Sequence, residues 1–336
     1  EMVNIAAQSV VGMDSVFDGK LDYLFLSVTQ KEGKGETALM AFTIESAKVA
    51  KKLGKLPIKV RFYDEEAIHP PTIEYVKRFM SRGEVELDWY CLEFKHRNAC
   101  SSKEPWWYCW DKDKKDLWVR PMPNDVPVIT EHPVFEKGMT MQEFAHKSVY
   151  HDYLGKGTVI DLNGIRTQES IRRYRTLSSR KEENYVYRAK TKGDVNRGYP
   201  IYDWNSEDCW FLVKLFELDY NKTYDIFNRT SLYNKLLTQR VCPPYGEQPL
   251  QGLWVYKECF PEMWHKMIDR VDGVATAVRY AKTELYGERD LPEFYQSFKE
   301  YTQAILMIYP SDVRNSVIES INKCVNGHYN KTDEPI

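Results

Sequence analysis

No apolar run in this 336-residue chain reaches the ~18 residues that a membrane-crossing helix needs, and no secretory leader pattern opens it. Seven cysteines are an odd number. Without a secretory signal they read as reduced thiols of a cytoplasmic protein rather than as a disulfide framework. Neither sign of charge dominates: 47 basic residues face 49 acidic ones, for a formal net charge of −2. That balance argues against a global attraction to nucleic acid or to an anionic membrane, leaving only local basic patches. Internal repeats and long disordered tails are also missing. Glu1 precedes Met2, so the native start is left open. What the chain does have is apolar mass, 43% hydrophobic and 14% aromatic. This suffices for one large domain, or for a domain with a helical extension.

Leu21 to Ser27 reads as a buried first strand, and Glu36 to Leu53 as an amphipathic helix with Leu39, Phe42, Ala50 and Leu53 on one broad face. Ile58 to Tyr63, Val85 to Tyr90 and Thr158 to Leu162 follow as strands, with a helix over Ile73 to Met80. Strand–helix alternation with short turns predicts an α/β fold, a mainly parallel twisted sheet with flanking helices. In such a sheet ligands lie beyond the strand carboxyl ends, where Ser27, Asp64 and Arg166 would gather. The stretch from about 95 to 139 is an insertion rich in Trp, Pro and charge, suited to a lid or a docking surface. From about Trp210 the pattern turns helical, over 210–218, 222–229, 231–239, 261–271 and 293–309. The expected organisation is a nucleotide-binding domain over 1–209 and a helical region over 210–336 packed on it.

The richest segment is Gly164-Ile165-Arg166-Thr167-Gln168-Glu169-Ser170-Ile171-Arg172-Arg173, followed by Tyr199-Pro200-Ile201-Tyr202-Asp203-Trp204 and Glu207-Asp208. Arginines at a strand's carboxyl end and on the first helical turn suit a phosphate-rich ligand. Guanidinium offers a bidentate fork, and the helix N-terminus adds N–H donors. A surface cluster paired with Glu169, Glu182 and Glu183 accounts for the same residues equally well.

G-I-R-x-x-E-S-x-x-R with Y-P-I-Y-D-W-x-x-E-D-x-W resembles the phosphoadenosine phosphosulfate (PAPS) reductase family within the PP-loop ATP pyrophosphatase superfamily, and more narrowly its IbrA-like branch. The likeness continues in Glu104-Pro105-Trp106-Trp107-Tyr108-Cys109-Trp110-Asp111, Trp118-Val119-Arg120-Pro121-Met122-Pro123, Arg240-Val241-Cys242-Pro243-Pro244-Tyr245-Gly246 and Gly252-Leu253-Trp254. It implies an adenine nucleotide α-hydrolase-like fold, an adenine nucleotide (ATP or a PAPS-like compound) as ligand, and Mg2+ beside its phosphates. By that likeness Asp64, Glu65 and the Pro71-Thr72 pair help form the nucleotide pocket, whereas Glu65 and Glu66 also fit a plain solvated strand end. Arg166 and Arg173 take the phosphate- or sulfate-facing places, with Glu169 between them. Arg172 faces elsewhere, because adjacent helical residues do not share a face. Asp203 suits backbone positioning or a helix cap better than chemistry, with Asn205 and Ser206 as competing caps.

Two departures matter. The superfamily's S-G-G-K-D-S loop is replaced by a longer run from Ser27 to Thr37, in which Gly33-Lys34-Gly35-Glu36-Thr37 resembles a permuted version. Gly33 and Gly35 would let the backbone approach an oxyanion, Lys31 or Lys34 supplies charge and Thr37 a hydroxyl. The same run imitates a deviant Walker A loop, but Glu36 stands where that loop needs the lysine that reaches the phosphates. The second departure is the missing C-terminal E-C-G-L-H segment that carries the nucleophilic cysteine of assimilatory PAPS reductases. Cys91, His96, Cys109 and Cys242 are compatible with a zinc site, and Cys91, Cys100, Cys109 and Cys242 with an iron–sulfur cluster. Buried free thiols explain them as well.

Two functions from different classes follow. One is an enzyme that cleaves ATP at the α–β phosphate or processes a sulfonucleotide. The other is a non-catalytic regulatory or defence-related member acting with a ParB/sulfiredoxin-like protein partner. The aromatic insertion could stack bases, but Asp111, Asp113 and Asp116 interrupt its basic residues, so nucleic acid is the weaker reading and a membrane is not expected.

Overall fold

The computed structural model describes residues 21–29, 57–153, 158–169, 171–178, 186–187, 196–229, 245–246, 253–280 and 291–330. The chain divides into two compact units, Glu1–Lys282 and Thr283–Ile336.

The first unit is built on a six-stranded sheet. Its strands are β1 (Leu21–Thr29), β2 (Ile58–Tyr63), β3 (Val85–Tyr90), β6 (Thr158–Leu162), β7 (Val186–Tyr187) and β8 (Asn196–Gly198), in the order β3-β2-β1-β6-β8-β7. All neighbours are parallel except the edge strand β7, which runs antiparallel to β8. Registers are fixed by Ser27 opposite Arg61, Leu26 opposite Leu162 and Arg61 opposite Asp88. In β2 only Lys59 is less than fully buried, the near-continuous burial of a strand covered on both faces. The β2 and β3 limits coincide with those read from the sequence.

Helix α1 (Pro70–Met80) starts on two prolines, whose missing N–H groups are no loss in a first turn, and it buries Ile73, Tyr75, Val76 and Phe79. Helix α2 (Met141–Tyr153) was not anticipated by the apolar periodicity. It is nucleated by a reciprocal cap, the Thr140 amide donating to Glu143 at 2.8 Å and the Glu143 amide to Thr140 Oγ1 at 3.3 Å. Phe144 of α2 is the centre of an aromatic core with Tyr63, Tyr90, Phe94 and Phe135. Further helices are α3 (Ile171–Ser178), α4 (Ser206–Leu215), α5 (Thr223–Asn228), α6 (Leu253–Cys259), α7 (Pro261–Arg270) and α8 (Val274–Tyr280). The expected helices over 36–53 and 231–239 lie outside the described residues.

The insertion over 95–139 closes on itself, because the Lys95 amide donates to Met139 O at 2.9 Å. It holds a small hairpin of β4 (Lys95–Arg97) and β5 (Trp106–Tyr108) and a 3-10 helix over Lys112–Leu117. Contrary to a lid, much of it is core: Trp107, Cys109, Trp110 and Val119 are buried. Ile129 adds to the edge of β3, exchanging hydrogen bonds with Trp89 and Cys91. Gly273, between α7 and α8, has φ +85°, and a side chain there would meet Cys100 O at 2.2 Å. Only glycine permits that approach of the turn to the insertion.

The second unit contains α9 (Phe298–Leu306) and α10 (Ser311–Tyr329). Among the described residues no helix is long and apolar enough to cross a membrane.

Candidate functional site

The strand order locates the candidate crevice. The chain passes from β1 outward through β2 to β3, then returns across β1 to β6 on its other side. The order therefore reverses between β1 and β6, and at such a switch point the adjoining loops diverge and leave a cleft at the strand carboxyl ends. Leu162, the last residue of β6, pairs with Leu26. Ser27 to Thr29 and Asn163 to Arg166 consequently flank this cleft.

The two motif segments meet there. The Thr167 amide donates to Tyr202 O at 2.8 Å and its hydroxyl to the same oxygen at 3.1 Å. Arg166 Nη1 donates to Trp204 O at 3.4 Å, and the Ser206 amide to Gln168 Oε1 at 3.0 Å. Asn163 is tied to β8 through its amide and Gly198 O at 2.9 Å. Arg166 is buried, at 4% exposure. Glu169 ends a short 3-10 turn, and Arg173 lies half-buried on α3. Asp203 is exposed in the Tyr199–Trp204 turn and does not cap α4. Asn205 does, accepting from the Asp208 amide at 2.9 Å while the Asp208 carboxylate accepts from the Asn205 amide at 2.8 Å. Gly33, Lys34, Gly35 and Thr37 lie outside the described residues.

The acidic turn after β2 serves a different purpose from a solvated strand end. Asp64, Glu65 and Glu66 are each 0% exposed. Asp64 accepts from Trp89 Nε1 at 2.9 Å and the Glu66 amide at 3.0 Å, and it pairs with Arg120 through both carboxylate oxygens. Glu66 accepts from the amides of Trp110 (2.7 Å) and Val119 (3.0 Å) and takes a two-pronged contact from Arg270, at 2.8 and 3.0 Å. Glu65 lies 3.9 Å from His96 Nδ1. Two of these carboxylates therefore hold the insertion and α7 to the sheet. Arg120, Trp110, Val119 and Arg270 had no place among the expected site residues, since they stand 44 to 204 positions from their acidic partners. Thr72 is likewise engaged inside the protein, with Thr223 Oγ1 at 3.0 Å and Asn221 Nδ2 at 2.9 Å.

Among the described residues the cysteines are free thiols, and burial pushes Cys91 and Cys109 far up from the usual range and Cys100 up to about 12. Cys91 Sγ faces Asp64 and Cys109 Sγ faces Leu92 O, while Cys242 lies outside the described residues. Among the described residues the group whose donor atoms converge is a different one, His132, His151 and Asp152. A cavity of about 380 Å³ opens beside the hairpin, lined by Trp106, Trp107, Tyr108, Lys114, Lys137 and Arg270 among others. None of the crevice residues lines it.

A family model described as "Domain of unknown function (DUF3440)" matches residues 234–333. Over 280 residues the chain is 30% identical to the Uncharacterized protein YbdN of Escherichia coli (strain K12), covering 79% of this chain and 67% of that one. Among solved structures it is similar to Candida glabrata FMN adenylyltransferase in complex with FMN and the ATP analog AMPCPP. There the TM-score is 0.40 and the identity 11%, over 66% of this chain and 57% of that chain, so little more than half of the adenylyltransferase is spanned. It is also similar to the phosphoadenylyl-sulfate reductase of Candida auris (TM-score 0.34, 12% identity, 67% and 86% covered). A third similar structure is the U34-tRNA thiolase NcsA of Methanococcus maripaludis with its [4Fe-4S] cluster (TM-score 0.35, 11% identity, 87% and 84% covered).

Proposed function

The chain belongs to the family of YbdN, and from that premise we propose that it is a PAPS reductase-like, PP-loop-type protein that binds an adenine nucleotide with its phosphates in the β1–β6 crevice. The observation that carries this reading is the switch point itself, with Arg166 following β6 at its edge. Arg166 is held by the Tyr199–Trp204 turn, so its orientation is set before a ligand arrives. Arg173, farther along α3, supplies a second guanidinium beyond the same loop. Together they match the charge and fork geometry of phosphate oxygens. Mg2+ would supply charge neutralisation at the phosphates; Asp64 and Glu66 already serve protein donors and would not be its ligands.

The test is calorimetric titration of the protein with ATP, AMP and PAPS, with and without Mg2+. Arg166→Ala and Arg173→Ala each weaken binding roughly tenfold or more, about 1.4 kcal/mol, while thermal melts show both variants folded. Unchanged affinity in both folded variants sinks the crevice assignment. A second reading is favoured by one feature, the replacement of S-G-G-K-D-S by the longer run ending in Glu36-Thr37. It is a regulatory member that binds nucleotide without turning it over and acts with a ParB/sulfiredoxin-like partner. Release of pyrophosphate from ATP distinguishes the enzyme from this alternative.

A further inference from the structure

We propose that His132, His151 and Asp152 form a binding site for a divalent transition-metal ion of the zinc type, separate from the nucleotide crevice. His132 Nε2 stands 3.3 Å and His151 Nδ1 3.0 Å from the same oxygen, Asp152 Oδ1. All three donor atoms fall within 4.8 Å of one another. At zinc–nitrogen and zinc–oxygen bonds of about 2.0–2.1 Å, tetrahedral ligands sit roughly 3.3–3.4 Å apart. Two edges of the tetrahedron are therefore nearly in place. The third closes by rotation of the His151 ring, which is half-exposed at 49% and so has room to turn.

The surroundings orient the donors. The other Asp152 oxygen accepts from Arg61 Nη2 at 2.6 Å, and Arg61, itself wholly buried, also donates to Ser148 Oγ at 2.7 Å. A carboxylate gripped at one oxygen presents the other, the usual arrangement around a metal ligand. The His132 ring is seated edge-on to Phe144 at 5.1 Å and against Tyr90 at 6.1 Å. Its Nδ1 accepts a long contact from the Val134 amide at 3.4 Å, and ligation through Nε2 gives up that weak bond by moving the ring proton to Nδ1. Two imidazoles and one carboxylate select zinc, cobalt or nickel over magnesium or calcium. Three protein ligands leave a coordination position for water. The ion joins the return of the insertion, where His132 lies, to the last turn of α2, beside Tyr90 of β3 and Arg61 of β2.

The experiment uses the full chain, stripped with chelator and titrated with Zn2+ alone and with Co2+ alone. One ion binds per chain, and Co2+ shows visible ligand-field bands without a thiolate charge-transfer band. His151→Ala and His132→Gln each weaken binding at least tenfold, while metal-free thermal melts show both variants folded. The proposal is overturned if the parent binds no ion, if His151→Ala binds within twofold of the parent, or if a thiolate band reports cysteine ligation.

Discussion

His69 is 1% exposed, and among the described residues neither ring nitrogen has a hydrogen-bond partner. Tyr256 stacks on it at 4.5 Å, with Phe227 and Phe260 completing an aromatic enclosure. Burial pushes its pKa down to about 3, against about 6.5 for an unfolded histidine. As pH falls, the unfolded chain takes up this proton first. The stabilisation is whole above pH 6.5, declines as pH drops below it, and is exhausted near pH 3. At pH 5 the loss is about 2 kcal/mol. His69→Phe keeps the stacking and cannot be charged, so denaturant melts at pH 7 and pH 5 should differ by about that much less than in the parent. Identical pH dependence in the two proteins refutes the assignment. Nothing near His69 in the sequence announces this, because Phe227, Tyr256 and Phe260 come from distant segments. Glu66 is a parallel case. The sequence allows a solvated strand end, and only Arg270, 204 positions away, makes it a core residue.

At the scale of elements, strands were the most legible parts. β2, β3 and β6 follow from apolar runs bounded by turn residues, a pattern local to each strand. Helix α2 is not legible from apolar faces, although Thr140-Met141-Gln142-Glu143 carries a capping box in plain view. The way elements are joined was not legible at all. Helix α7 is tied to the turn after β2 by Arg270, a buried pair with Glu66. Glu66 sits at φ 64° and Trp110, which it accepts from, at φ 55°. Such left-handed conformations are costly for these residues, of order 1 kcal/mol or more, and persist where surrounding bonds over-determine them. Removing one partner of a buried ion pair leaves the other charged and unmatched. Arg270→Ala should therefore lose about 3–5 kcal/mol of stability in urea melts. Adding Glu66→Gln to it should recover part of that loss, whereas strictly additive losses would show that the pair is not coupled.

The same bonds decide how the whole first unit behaves. A lid opens without disturbing its domain, so its amides exchange with solvent through low-energy local openings. This insertion is arranged otherwise: Trp110 and Val119 direct their amides to a carboxylate that is 0% exposed, and Trp110 Nε1 donates to Asp64 O at 2.7 Å. Opening the insertion would take Arg120 from Asp64 and the Trp110 and Val119 amides from Glu66, leaving two buried carboxylates short of donors, which is costly for a charged group. The insertion and the sheet should thus unfold together. Hydrogen exchange checks this, with the amides of Trp110 and Val119 protected to nearly the free energy of global unfolding. The intervening 3-10 helix over Lys112–Leu117 has no buried residue, so its Lys114 amide should exchange orders of magnitude faster. Exchange of all three at one fast rate would restore the lid reading.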